Sequence, residues 1–539
     1  MGGSGWNEVD VLPLAKQYAD PAWIPGDWYL NQPPGYRLLF QTLFGNIAAA
    51  WGFLATSIIG RLLCYALVAS GLVLIGRKLS LSLPLLLLAV GLFLYVNPYQ
   101  SVVAYEWLVG GLEPKSVAYG LLLLAIGLML GGRYRWMALM LGLATSFHVL
   151  VGGWALLAVV GWLILRRRNH FVDIRYLGSV LLIYLAASAL AVWPVLEQLF
   201  TPTPTVPVEP SYIYVFLRLP HHLNPLSWSP DWWIRPILCL LILALSIGRL
   251  RRKRQSEKLS GQYATCVELA EFTLITLVPF ILGLAIAPFD SQGRLLQYYP
   301  FRLGSIMLPL NTYLVLACAI EQTFIGRTRR LLSLVCIVLL SWACSLQALS
   351  LSEQLLALRE FPSPWQGIDP EGKALCTWVR NHTPQNAVVV SPPVEFANFT
   401  WLAERPTIAK FKLFPQNKAN ILTWYQRLSD LSGDLSPWLS RNSKNLPRGE
   451  FEQALTNGYK NLTTAQAEKL MVKYGADYLL TGIEHKLDLA IAYRNSRYIL
   501  YGKTNLSLHQ QTESATVVGL GGESAASSSE RERLSVLRH

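Results

Sequence analysis

The chain is short of charge. Only 15% of its 539 residues are Asp, Glu, Lys or Arg, against about 25% in an ordinary soluble domain. With a mean hydropathy of +0.34, that excludes an ordinary soluble fold for most of the length. Cysteine is sparse as well: seven residues, scattered, with no CxxC pair and no metal-ligand spacing. A disulfide framework or a cysteine metal site is not indicated, and these thiols read as small core residues. The first ten residues offer neither a basic stretch nor an apolar one, so no signal peptide is expected.

What the chain has instead is apolar runs. From about residue 47 to 349 one follows another, and the links between them alternate in character. One set is basic: Arg77-Lys78, Arg133 with Arg135, Arg166-Arg167-Arg168, Arg251 to Arg254, and Arg327 with Arg329-Arg330. The other set, 97–116, 197–233 and 288–301, is longer and rich in Pro, Trp, Tyr and His. Basic links stay cytoplasmic and the others face outward. The net charge of +13 is accounted for by these orienting links, so no nucleic-acid partner is expected.

A span needs about 20 apolar residues, fewer if it is re-entrant. The candidates are 47–75, 79–96, 117–132, 136–149, 152–166, 176–196, 234–250, 268–287, 302–322 and 331–349. The stretch 136–166 could be one helix, but a hairpin turning between His148 and Gly153 keeps every basic link on one side. The expected fold is a membrane all-α domain of about ten transmembrane or re-entrant helices (47–350). A small extracytoplasmic α/β domain (351–504) follows. Residues 1–46 should form an outer interfacial segment, and 505–539, rich in Gly, Ser and Glu, a disordered tail. A segment that starts outside suggests that a preceding transmembrane helix is missing; direct insertion of a short tail is the alternative. In the soluble part, helices are expected at 374–382, 418–431 and 464–474, with Thr463 or Thr464 as a cap. Strands are expected at 387–390, 476–480 and within 490–501.

Four outer groups could carry chemistry. Asp20 and Asp27 sit beside Pro and Gly, where acids are routine turn residues; on a membrane surface they could also deprotonate an acceptor or hold a cation. Glu106 and the run Glu113-Pro114-Lys115 lie at a bilayer boundary, where an acid also serves the helix dipole. His148 is either a satisfied core residue or a donor to a phosphate or sugar at the hairpin turn. Arg218 with His221 and His222, and Arg294 with Arg302, stand on the side poor in basic residues. Arginine matches phosphate oxygens bidentately, so a phosphate head group is a suitable ligand; snorkelling is the plainer reading. Adjacent histidines do not easily face one metal, so no metal site is assigned.

An acidic first outer loop, many helices with short hairpins and an outer α/β domain together resemble the GT-C type of integral membrane glycosyltransferases. More narrowly, WNEVDVLPLAKQYADP, EPKSVAY, SFHVLVG, RLPHHLNP, YYPFR, CTWVRNHTP, RPTIAKFKLFP and WYQRL resemble a bacterial family of that architecture, common in cyanobacteria, with no assigned reaction. The GT-C resemblance implies a plasma-membrane protein that transfers a sugar from a polyprenyl-phosphate donor at the outer face. An acid of the first outer loop would serve as base or metal ligand, and Asp20 and Asp27 match by location, with Glu113 nearby. Lys115, His148, Arg218, His221, His222, Arg294 and Arg302 would hold the phosphosugar. The residues name no cofactor, and the resemblance admits a divalent cation. Membrane lipid is the other expected partner. This chain departs in lacking an adjacent acidic pair: Asp20 and Asp27 are seven residues apart. A transporter or flippase of lipid-linked saccharides is a competing reading, although no internal repeat is visible. A non-catalytic assembly or sensor protein is another.

Overall fold

The computed structural model describes residues 7–96, 100–166, 174–200, 208–253, 257–323, 369–440 and 449–503, with isolated positions between 328 and 345. The candidate span 331–349 is described only at isolated positions, and the tail 505–539 lies outside the described residues. Among the described residues six helices are long and apolar enough to cross a membrane: Gly35–Lys78, Val149–Arg166, Arg175–Glu197, Pro230–Arg252, Ser260–Ile286 and Arg302–Thr323. Two shorter apolar helices, Leu83–Tyr95 and Pro114–Leu130, accompany them. The chain is an integral membrane protein by these helices, which account for part of the expected number of about ten.

In chain order the helices are α1 (Glu8–Ala19), α2 (Leu38–Lys78), α3 (Leu83–Val96), α4 (Pro114–Leu130), α5 (Tyr134–Phe147), α6 (Val149–Arg166) and α7 (Ile174–Phe200). Then come α8 (Ile234–Lys253), α9 (Glu257–Ile286) and α10 (Arg302–Thr323). The expected loop 1–46 is corrected at its end. Residues from Leu38 are already helical, and the break falls at Gly52, whose φ of 77° and ψ of 175° interrupt α2. Glycine alone enters that region without strain, so an interfacial turn of helix can lead directly into the span.

The hairpin is present. His148 is extended (φ −152°, ψ 100°) between α5 and α6. Glu268 and Arg166, at the far end of α6, act electrostatically on Tyr134 at the start of α5, so the two helices run antiparallel. Gly152 permits the tight turn: a Cβ there would lie 2.2 Å from Thr145 Oγ1.

One end of the bundle gathers the basic links. Gln262 Nε2 donates to Leu79 O, Gln322 bonds Gln262, Glu321 accepts from Ser82 N, and Arg166 pairs with Glu268 and Glu271. The opposite end carries α1, the turn at His148, the start of α10 and the C-terminal domain. The α10 span is almost wholly buried and forms the axis of the bundle, whereas α7 is mostly exposed.

In the C-terminal domain β1 (Val389–Val390), β2 (Tyr478–Gly482), β3 (Ala490–Arg494) and β4 (Tyr498–Gly502) form one sheet in the order β1-β2-β4-β3. Only β1 and β2 are parallel. Around it pack α11 (Pro370–His382), α12 (Lys418–Ser432), α13 (Glu450–Lys460) and α14 (Thr464–Tyr474). Thr463 and Gln466 close a capping box at α14. This domain shares its core with the membrane part. Trp228, Phe216 and Phe301 belong to the same buried cluster as Trp424, Leu428 and Phe451, so the two are packed as one unit.

Candidate functional site

The site starts in the loop before α4. Gln100 shapes it: its Oε1 accepts from Leu108 N and Val109 N, and its Nε2 donates to Val109 O. Ala104 and Tyr105 both take positive φ, 65° and 49°. Successive non-glycine residues in that region are costly, and such strain gathers at functional sites. The turn drives Glu106 into the protein, where it is fully buried.

Around Glu106 stand two cations and an imidazole. Arg302 Nε donates to its Oε1 at 2.8 Å, Lys115 Nζ lies 3.6 Å from Oε2, and His222 Nδ1 is 3.9 Å away. Burial opposes its charge, but Arg302 and Lys115 outweigh burial and hold the Glu106 carboxyl below the usual range. Lys115 also reaches Glu113 at 3.7 Å and lies over the Trp107 ring. Arg302 sits 3.7 Å above the ring of Tyr299, itself a non-glycine residue at φ 55°. The other face of Arg302 meets His148, with Nη1 to Nε2 at 3.1 Å.

A guanidinium only donates, so Nε2 of His148 is the acceptor nitrogen and the neutral ring carries its hydrogen on Nδ1. The Val151 N–H also approaches Nδ1, at 3.3 Å. No neutral tautomer satisfies both, and the charge-assisted contact decides. Burial, then Arg302, keep the His148 imidazole neutral far below its ordinary pKa. His222 is held neutral by burial, then Lys115 and Arg302, while its Nδ1–H donates to Ala104 O.

Beside this cluster lies a carboxylate that the sequence reading passed over. Glu8 and Asp10 both belong to α1, two residues and about 200° apart around the helix. Glu8 is structural: Arg61 grips it through Nε and Nη2 at 2.7 Å each, and Ser57 and Leu112 N complete it. Asp10 faces the other way, toward Lys412, Arg218, Glu113 and Arg37. Burial outweighs the three cations, and its carboxyl is pushed up to about 6. Among the described residues its Oδ1 has no hydrogen-bond partner.

Asp10, Arg37, His148, Tyr214, Arg218 and His222 share one property. Each is only partly covered, although the interactions above place it well inside the protein. Asp10, Arg218 and Arg37 interact electrostatically, as do His222, Arg302 and Arg218, so these half-buried groups lie close together. Tyr214 bridges the two halves, its hydroxyl 3.3 Å from that of Tyr299 and its ring stacked on Phe414. Arg218 ends a π-helical turn, Ile213–Arg218. Its Nη2 donates to Lys412 O, its guanidinium covers Phe411, and Nε has no partner among the described residues. The C-terminal domain therefore supplies one side of the site, through the segment Lys410 to Phe414.

The candidate residues divide accordingly. Glu113, Lys115, His148, Arg218, His222 and Arg302 come together, and the His221 ring lies tilted against His222 with ring centroids 4.2 Å apart. Arg294 stands apart, largely exposed and paired with Glu209. Asp20 closes α1 beside Lys16, away from these groups. Asp27 is buried but engaged: Oδ1 accepts from Tyr29 N and Leu30 N, and Oδ2 from Thr407 N at 3.0 Å. It staples the N-terminal segment to the C-terminal domain. Among the described residues no group of three or more His, Cys, Asp or Glu side chains could hold a metal ion.

A family profile for a domain of unknown function (DUF6798) matches residues 370–431, from the start of α11 nearly to the end of α12 and including Lys412 and Phe414. No match is found among curated proteins. Among solved structures, the apo crystal structure of ArnT from Cupriavidus metallidurans is similar at 10% identity, with 94% of each chain covered and a TM-score of 0.38. A likeness of that size carries no argument about fold or reaction.

Proposed function

We propose that this chain is a membrane glycosyltransferase of the GT-C kind, transferring a sugar from a polyprenyl-phosphate donor at the extracytoplasmic face, with Asp10 as general base. The observation that carries the reading is Asp10 itself: a carboxylate whose buried Oδ1 has no hydrogen-bond partner among the described residues, with Lys412, Arg218 and Arg37 around it. An acceptor hydroxyl would give its proton to Asp10 as its oxygen attacks the sugar. The departing phosphate would keep the bonding electrons, and Arg218 and Lys412 would bind its charge. Asp10 replaces Asp20 and Asp27 in the role assigned to the first outer loop. Glu106, Arg302 and Lys115 act as a rigid ionic base beside Asp10 and Arg218. Sidedness follows from the positive-inside rule, since the basic links lie at the opposite end of the bundle.

The test is to incubate membranes carrying the chain with labelled polyprenyl-phosphate sugars. Transfer should fall by about 10²–10⁴-fold in Asp10→Asn, the usual range for losing a general base, and remain in Asp20→Asn. Equal transfer by Asp10→Asn and the unaltered chain would refute the assignment.

A further inference from the structure

Next to Asp10 lies a space that the transfer chemistry does not use. It is a cavity of about 360 Å³ between residues 29–41, the end of α7 and the loop 414–420 of the C-terminal domain. That volume falls within the range of small-molecule sites. Its apolar lining is aromatic, from Tyr29, Tyr36 and Phe414, and much of its polar lining is amide, from Gln32, Gln416 and Asn420.

This chemistry separates ligand classes. A side-chain amide presents a donor and an acceptor together, and a hydroxyl group needs both. Ring faces cover the C–H surface of a sugar. An anion would want buried, unshared cations and uncapped helix N–H groups. The N–H of Ala419 at the start of α12 is already taken by its cap, Asn417 Oδ1 at 2.8 Å. Arg37 meets the amide of Gln416, Lys418 is exposed at the rim, and Glu197 supplies the opposite charge. One donor is left over: Gln32 Oε1 accepts from Asn420 Nδ2 at 3.2 Å, while Gln32 Nε2 is buried without a partner among the described residues. Buried donors of this kind are normally satisfied, and a ligand hydroxyl would satisfy this one.

The position fits as well. Leu14, one helical turn beyond Asp10, is part of the wall, and Arg37 reaches both the cavity and the field of Asp10. We infer that this cavity binds an uncharged polyhydroxyl acceptor, a glycan or sugar head group, with one hydroxyl turned toward Asp10. The acceptor role rests on the transfer reading; the carbohydrate site does not.

The test uses the full chain in lipid nanodiscs and saturation-transfer NMR with maltotriose, cellotriose and chitotriose as neutral probes and trigalacturonate as the charged one. At least one neutral probe should bind. Gln32→Leu and Tyr36→Leu, each checked for an unchanged melting midpoint, should weaken that binding about tenfold, the worth of one hydrogen bond or one ring contact. Lys418→Ala, at the rim, should change it by less than about twofold. Asp10→Asn should still bind the neutral probe even where transfer is lost. Failure of every neutral probe, binding of trigalacturonate alone, or equal binding by both cavity variants would overturn the inference. If neutral probes bind as expected but Asp10→Asn still transfers, the transfer reading fails and the carbohydrate site stands.

Discussion

Glu106→Gln should destabilise the protein more than a typical substitution. In the native site the carboxylate is fully buried, 2.8 Å from Arg302 Nε and 3.6 Å from Lys115 Nζ. At an effective dielectric near 20, a pair at the shorter distance attracts by roughly 6 kcal/mol before desolvation is counted. Desolvation consumes several kcal/mol per ion, so the net worth of the pair is modest. Removing one partner is different, because the other ion stays buried and alone. Lys115 keeps Glu113, but Arg302 keeps only the neutral His148 and the Tyr299 ring. The expected loss is about 3–5 kcal/mol. The assay is denaturant or thermal unfolding of the purified chain in one detergent, run beside Arg302→Met and the double variant. The double variant should recover much of the loss, since it leaves no unpaired charge. A loss under about 1 kcal/mol for Glu106→Gln, or additive single effects, would refute the view that this cluster is tightly coupled.

Other expectations concern other parts of the molecule. Asp27→Ala leaves three buried backbone N–H groups without an acceptor, so it should cost about 1–3 kcal/mol per group left unmet and loosen the C-terminal domain to proteolysis. Unchanged cleavage would show that Asp27 is no staple. Lys410 is buried with Pro392 O as its hydrogen-bond acceptor, and burial pushes its amine down to about 7. The unfolded chain therefore holds more protons between about pH 7 and the ordinary lysine value, and stability should rise with pH there, by at most about 1.4 kcal/mol per unit. Lys410→Met should flatten that slope, and a slope that survives would refute the assignment. For sidedness, a tag after residue 254 should be cytoplasmic and one after residue 505 extracytoplasmic. Both on one side would contradict the topology.

Much of the bundle was legible because membrane constraints are coarse. A basic residue between two apolar runs fixes an end, and Pro114 at the first turn of α4 or the Thr463 cap of α14 marks a start within a residue or two. The hairpin at His148 was legible only through charge, since its apolar content is continuous. The start of α2 was not, because Gln41, Thr42, Gly45 and Asn46 interrupt the apolar residues of 38–46, and the Gly52 kink still lets that stretch join the helix. The ionic cluster was half visible: Glu113, Lys115, Arg218 and Arg302 are ionisable groups at a boundary where each needs compensation. Asp10 was hidden. It lies two residues from Glu8 in a first turn where any acid suits the helix dipole, and its cations come from residues 27, 208 and 402 positions away in the chain. No spacing announces such a convergence. Asp27 misled for the opposite reason: its turn context is genuine, and its third bond, to Thr407, ties two segments 380 residues apart.

The most direct measurement is the pH profile of sugar transfer from a labelled polyprenyl-phosphate donor. With Asp10 as base, the rate should climb as its carboxyl ionises, giving an acid limb with an apparent pKa of about 6 and a plateau above it. Lys412→Met removes a cation that favours the ionised form, so it should move the limb to higher pH. A rate that stays flat across that limb, or a limb that Lys412→Met leaves in place, would contradict the account.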